Sequence, residues 1–244
     1  MPTVLLIDDD MVSREVAATV LTLNGYTVHT APDGAGALET LASGGCAPDV
    51  ILMDARMPGL GGAALIGRLR EQTSAAVIVI SGSQPPEDMT RAADGFLLKP
   101  FDVAALQNVF EKGPAPSGPK AARPADGNDP VVSAEKLAQF RALMPESAVR
   151  EIYQAVSEDL ASRLRELEAA IASRDSAEVR RIGHAIKGGC GMAGAVQAAR
   201  LGAMLEELPA GSPDNLLGNS VKLLNNLRAA ARNLERILAS ELPV

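Results

Sequence analysis

Residues 113–130, GPAPSGPKAARPADGNDP, hold five Pro and three Gly in 18 positions and show no apolar periodicity. Proline lacks the amide donor that a helix interior or a central strand needs, and glycine disfavours both on entropic grounds. Such a stretch is expected to be a linker, so the chain should fold as two bodies, residues 1–112 and 131–244. At about 3.1 Å per residue a Pro-rich connection of this length reaches on the order of 50 Å.

The charge is divided unequally between the two bodies. The first carries 7 basic and 14 acidic residues and so the whole net charge of −7, whereas the second balances 14 against 14. Apolar residues make up 47% of the chain, enough for two cores. With four Phe, two Tyr and no Trp there is little from which to build a base-stacking platform, and the acidic balance disfavours a phosphate-backbone binder. No aliphatic run approaches the roughly 20 residues of a membrane helix, and residues 1–10 lack a basic leader, so a cytoplasmic protein with no membrane insertion is expected. The two cysteines, Cys46 and Cys190, have no metal-binding spacing and suit a reducing compartment.

In the first body, short β-type runs at 4–7, 27–30, 50–53, 77–81 and 96–98 alternate with helical stretches, one of them marked by Val103, Leu106, Val109 and Phe110. Five strands separated by helices imply a parallel sheet covered on both faces. Asp8, Asp9 and Asp10 follow the first strand and Asp54 ends the third, with Ser81 at the end of the fourth and Lys99 after the fifth. All of them fall at the carboxyl edge of the sheet, where open α/β sheets bind ligands. Clustered carboxylates repel one another unless a hard cation lies among them, and Mg²⁺ with oxygen ligands is the natural occupant. Such a site can transfer a phosphoryl group, with Asp54 attacking while Ser81 and Lys99 hold the phosphoryl oxygens. Any one of these acids could merely cap a helix, as Asp10 is placed to do; their joint arrival at one edge favours function.

The segments LLIDDD, DVILMDARMPG, VIVISG and FLLKPF, in this order, resemble the response-regulator receiver family over residues 1 to about 112. The resemblance implies a flavodoxin-like (βα)5 doubly wound sheet with Asp54 as phosphoacceptor. It further implies an acidic pair at Asp8 and Asp9, with Asp9 a direct Mg²⁺ ligand, and a metal-binding backbone carbonyl at Arg56. Ser81 matches the switch hydroxyl, Phe96 the aromatic switch position and Lys99 the phosphate-binding lysine, with a cis bond implied between Lys99 and Pro100. Between Ser81 and Lys99 the chain is shorter than the family pattern and contains Gly82, Pro85 and Pro86, so the fourth helix should be short or irregular.

The second body carries no strand signal. Val149, Ile152, Val156, Leu160, Leu164, Leu167 and Ile171 keep a helical period, as do Leu217, Val221, Leu224, Leu227, Leu234 and Leu238. Helix starts are expected at Pro145, at Asp175 with Glu178 as a capping box, and at Ser212 with Pro213, giving four principal helices after a short one from Ser133. Of the two histidines, His29 should be structural, while His184 lies in EVRRIGHAIKGGCGMAG. Val179, Ile182, Ile186, Cys190 and Ala193 form one apolar stripe of that helix, and His184 lies opposite with Arg180, Arg181, Lys187, Gly188 and Gly191. An imidazole there is expected to be exposed, in a basic surroundings whose small residues admit another protein. Its nitrogen can attack an acyl phosphate, with the neighbouring cations drawing in the phosphoryl oxygens.

HAIKGGCG resembles the signature of histidine-containing phosphotransfer (HPt) domains, which implies an α-helical bundle over about 131–244 with His184 phosphorylated and Lys187 and Gly188 following it in the motif. An α/β receiver followed by an all-α bundle would be a phosphorelay component, exchanging phosphoryl groups with a sensor histidine kinase, a further response regulator, or both. No P-loop, kinase signature or basic recognition helix is evident, so no ATP-dependent kinase activity and no nucleic acid partner are expected. Two other readings remain: a phosphate sink or scaffold, and a haloacid-dehalogenase-like phosphohydrolase with Asp8 as nucleophile and Asp10 as acid/base. The hydrolase requires Ser or Thr where this chain has Asp54.

Overall fold

The computed structural model describes residues 1–82, 85–99, 106–108, 129–208 and 213–241, with the side chains of 213–217 excepted. The chain divides into two compact units, Met1–Arg123 and Pro124–Val244. Residues 113–128 of the expected linker, most of the expected fifth receiver helix and the bond to Pro100 lie outside the described residues.

The first unit is a five-stranded parallel sheet in the order β2-β1-β3-β4-β5, comprising β1 (Thr3–Ile7), β2 (Thr27–Ala31), β3 (Val50–Asp54), β4 (Ala76–Ser81) and β5 (Gly95–Leu98). Every residue of β3 is buried, as is nearly all of β1 and β4, because helices cover both faces. Leu5, Ile7, Ile51, Met53, Val77 and Val79 form one core with Leu65, Ile66 and Leu69 of α3 (Gly62–Arg70). The alternate residues Leu6, Leu52, Ile78 and Ile80 are equally buried on the other face. The register sets the functional edge. Ile7 pairs with Met53 and Ser81 with Leu98. Asp8 and Asp54, each one residue further, therefore emerge side by side, and Lys99 emerges one step past Ser81.

Helix α1 (Met11–Leu23) begins at Asp10, whose carboxylate accepts from the Ser13 amide at 2.7 Å, and α2 (Gly34–Ala42) begins in the same way at Asp33. Helix α4 (Glu87–Ala92) is only six residues long, in keeping with the short Pro-containing segment before it. Arg70 ties this region to α3 by donating to Ala92 O at 3.0 Å and to Asp94 Oδ1 at 2.9 Å.

The second unit is helical throughout its described residues: α5 (Ala134–Leu143), α6 (Glu146–Ala172), α7 (Ser176–Ala193), α8 (Val196–Glu206) and α9 (Pro213–Glu241). Ser133 and Asp175 cap α5 and α7 as expected. The reciprocal half of the Asp175 capping box does not form. Glu178 turns instead to Arg181, at 2.7 and 2.6 Å, while the Asp175 amide it would have accepted donates to Ala170 O at 2.9 Å. The apolar face of α9 also departs from the expected stripe. Val221 is 44% exposed, and Ser220, Leu223, Leu224, Leu227 and Leu234 are the buried positions. The packing of the other helices decides which turn of a long apolar repeat faces inward.

Helices α7 and α8 approach each other without side chains between them at two glycines. A Cβ on Gly183 would lie 2.7 Å from Glu206 N and 2.8 Å from Gly202 O, and one on Gly202 would lie 2.6 Å from Lys187 N. Gly194 ends α7 in a left-handed conformation at φ 76°. The Gly202→Ala variant should therefore lose about 1–3 kcal/mol of stability by forcing the two backbones apart. Chemical denaturation of the bundle would measure that loss.

Candidate functional site

Asp8 and Asp54 are both buried at the carboxyl edge of the sheet, and the Lys99 ammonium lies between them. Lys99 Nζ donates to Asp8 Oδ2 at 2.7 Å, to Asp54 Oδ2, and to the Ser13 hydroxyl at 3.2 Å. Burial alone would disfavour the charge on Lys99, but the two carboxylates outweigh it and hold its pKa above the ordinary lysine range. Asp54 Oδ1 accepts from the Arg56 amide at 2.8 Å, and Asp8 Oδ1 from the Asp10 amide at 2.9 Å. Asp9 is exposed beside this pair. Partial desolvation and, after it, the neighbouring Asp54 and Asp8 charges raise its carboxyl above the usual range. Ser81 is buried at the end of β4 on the same edge, and Phe96 is buried in β5.

This geometry gives Asp10 a different employment from the one a phosphohydrolase needs. Its carboxylate caps α1, and Asp8 is enclosed by Lys99, Ser13 and the Asp10 amide rather than open to a substrate. Ser13 is a member of the site that sequence reasoning missed. A serine three residues after a capping Asp has an ordinary place in a helix's first turn, and only the strand register shows that its hydroxyl enters the pocket.

The second unit carries the other candidate. His184 is on α7 opposite the buried stripe of Val179, Ile182, Ile186, Cys190 and Ala193, as expected. Its imidazole is covered more than expected, with the side chain only 16% exposed. The reason is Glu206 on α8, a residue absent from the sequence reading. Glu206 Oε1 faces His184 Nδ1 at 3.0 Å, and Oε2 accepts from Lys187 Nζ at 3.1 Å. The Gly183–Gly202 approach brings this carboxylate there, and those glycines in two successive helices were the available signal. Burial by itself would raise the Glu206 carboxyl, but the hydrogen bonds from His184 and Lys187 overcome it and bring it down to about 2. An ionised carboxylate only accepts, so Nδ1 carries the proton and Nε2 is the ring nitrogen that Glu206 leaves open.

The basic surroundings expected for His184 are largely neutralised. Lys187 is paired with Glu206, and Arg181 with Glu178 and, at 3.9 Å, with Glu166. Arg180 lies one turn before His184 and has a buried Nη1 without a hydrogen-bond partner among the described residues. Gly188, one turn after His184, is buried rather than on an exposed face, although a Cβ there would meet nothing within 4 Å among the described residues. The exposed small-residue surface expected there is therefore not found at Gly188, and a Cβ on Gly191 would contact Ala199.

A doubly wound sheet with a lysine-bridged carboxylate pair is followed in the chain by a helical bundle that holds an imidazole by a carboxylate. Models of the response regulator receiver domain and of the Hpt domain match residues 4–111 and 151–239. The first segment is thus similar to receiver domains and the second to Hpt domains. The transcriptional regulatory protein CseB of Streptomyces avermitilis is 34% identical over 131 residues, covering 50% of this chain and 54% of that protein. KdpE of Mycobacterium tuberculosis is 38% identical over 107 residues, covering 42% and 46%. The chain thus spans about half the length of the curated relatives it matches. Among solved structures, the response regulator TrrA of Thermotoga maritima, in complex with Mg²⁺-BeF, is 28% identical with a TM-score of 0.42, covering 46% of this chain and 98% of that one. No helix among the described residues is long and apolar enough to cross a membrane.

The lowered Glu206 carboxyl links the surroundings of His184 to stability. An acid whose folded-state pKa lies near 2, against an ordinary value of 4.5, stabilises the fold fully above pH 4.5 and loses that contribution as the pH falls towards 2. Hydrogen exchange of α7 and α8 amides should show this acid loss in the native chain. In Glu206→Gln, protection should be lower at neutral pH and should lack the step between 4.5 and 2.

Proposed function

We propose that the chain is a phosphorelay protein that accepts a phosphoryl group on Asp54 and carries one on His184, exchanging them with a sensor histidine kinase, another response regulator, or both. The observation that carries this reading is the Lys99 ammonium hydrogen-bonded to both Asp8 and Asp54 at the sheet edge, in a chain whose other unit holds an imidazole by a carboxylate. At the receiver, an Asp54 carboxylate oxygen attacks the phosphorus of a phosphohistidine. The new P–O bond forms as the P–N bond breaks, and the electron pair returns to the departing imidazole. Lys99 and Ser81 hold the phosphoryl oxygens, and Phe96 follows the rearrangement as the switch aromatic.

The donors at this edge suit Mg²⁺. Asp8, Asp9 and Asp54 offer three carboxylates against the one Lys99 ammonium. Among the described residues no three or more acidic, His or Cys side chains gather closely enough to hold an ion alone. Mg²⁺ habitually takes one or two carboxylates and keeps several waters. Asp9, Asp54 and the Arg56 carbonyl would hold it directly, with Asp8 beside them, and the ion would neutralise charge on the phosphoryl oxygens.

In the bundle, Glu206 orients the ring and fixes the proton on Nδ1, leaving Nε2 to attack an aspartyl phosphate. Lys187 and Arg180 support the phosphoryl oxygens, Arg181 stays held by Glu178, and Gly188 keeps the turn after His184 small. The domains run from 1 to 112 and from 131 to 244, joined by the 113–130 linker, and the protein works in the cytoplasm with no nucleic acid partner.

Incubation of the chain with acetyl phosphate and Mg²⁺ should label Asp54, and Asp54→Asn should abolish that label. Mixed with a phosphorylated receiver, the Asp54→Asn chain should take label on His184, and His184→Gln should not. Label persisting in Asp54→Asn but lost in Asp8→Asn would overturn the receiver chemistry.

A further inference from the structure

Ser13 is not part of the phosphoacceptor reading above, yet its side chain sits inside that pocket. The residue is only 1% exposed, on the first turn of α1. Its backbone is fixed, because the Ser13 amide donates to the capping carboxylate of Asp10. Its hydroxyl donates to Asp8 Oδ2 at 2.8 Å and accepts from Lys99 Nζ at 3.2 Å. An ammonium has three protons, and Lys99 directs them to Asp8, Asp54 and Ser13. The serine therefore supplies the neutral acceptor that completes the coordination of a buried cation.

We infer that Ser13 is a positioning residue for phosphoryl transfer: its hydroxyl ties Lys99 to Asp8 so that the ammonium keeps its place when Asp54 changes its charge. This rests on Asp54 being the phosphoacceptor. Once the Asp54 oxygen is esterified to phosphorus, that side chain loses its negative charge and Lys99 loses one of its two ionic partners. Asp8 and Ser13 are the two anchors that remain. Held by them, Lys99 can turn its third N–H from Asp54 to a phosphoryl oxygen without leaving the pocket. Removing the hydroxyl leaves a buried N–H without an acceptor and frees the Asp8 carboxylate from one of its donors, so both charged groups lose their fixed orientation.

In the full native chain, NMR should show a slowly exchanging Ser13 hydroxyl proton with a nuclear Overhauser effect to the Lys99 ammonium. In Ser13→Ala that ammonium signal should shift or broaden, and labelling of Asp54 by acetyl phosphate should slow by about tenfold, the equivalent of one charge-assisted hydrogen bond. Ser13→Thr, which keeps the hydroxyl, should restore both. A native chain without the protected hydroxyl proton would overturn the inference. So would a Ser13→Ala chain with the native Lys99 signal and labelling rate, or a Ser13→Thr chain as slow as Ser13→Ala. If the native chain took no label at Asp54, the phosphorelay reading would fail, and the hold of Ser13 on Lys99 would be decided by the NMR signals alone.

Discussion

The placement of one ammonium between two buried carboxylates governs the first unit. Asp8, Asp54 and Lys99 come from three different strand ends, so their meeting requires β1, β3, β4 and β5 to be in the observed register. A buried ion pair is poor evidence of net stability, because desolvation offsets much of the attraction. Its consequence here is specificity. A strand slipped by one residue would leave a carboxylate or the ammonium buried without its partner, a strongly unfavourable state. The arrangement that makes the edge reactive also penalises the wrong sheet.

The bundle arrives at its site by a different physical route. Two glycines bring α7 and α8 together, by allowing backbones to approach where any Cβ would collide. That closeness carries Glu206 to His184 and Lys187, so a packing feature determines the proton position on an imidazole. The ring is consequently held from one side by α8. A more exposed histidine would be freer to rotate and would have no defined nucleophilic nitrogen.

The strands, the carboxyl-edge residues and the apolar stripe of α7 were legible because they depend on local patterns: apolar runs bounded by turns, acids at strand ends, and a 3.6-residue period. The exposure of Val221, the neutralised flank of Arg181 and the half-covered imidazole were not. Each depends on what lies across the space from the residue, and periodicity within a single helix carries no information about the neighbouring one. The Glu178 capping box failed for a related reason, since a motif lists possible partners without ranking them against Arg181.

The sequence by itself determined two bodies of different class, an acidic sheet edge centred on Asp54 and a helix presenting His184, because these follow from hydrophobic period, strand-end chemistry and composition. Tertiary structure alone decided that Ser13 completes the coordination of Lys99 and that Glu206 holds His184. Ser13 lies 86 positions from Lys99, and Glu206 lies 22 from His184 on a separate helix. Contacts over such separations are set by strand register and by how closely two backbones can pack, neither of which is encoded in any short stretch of the chain.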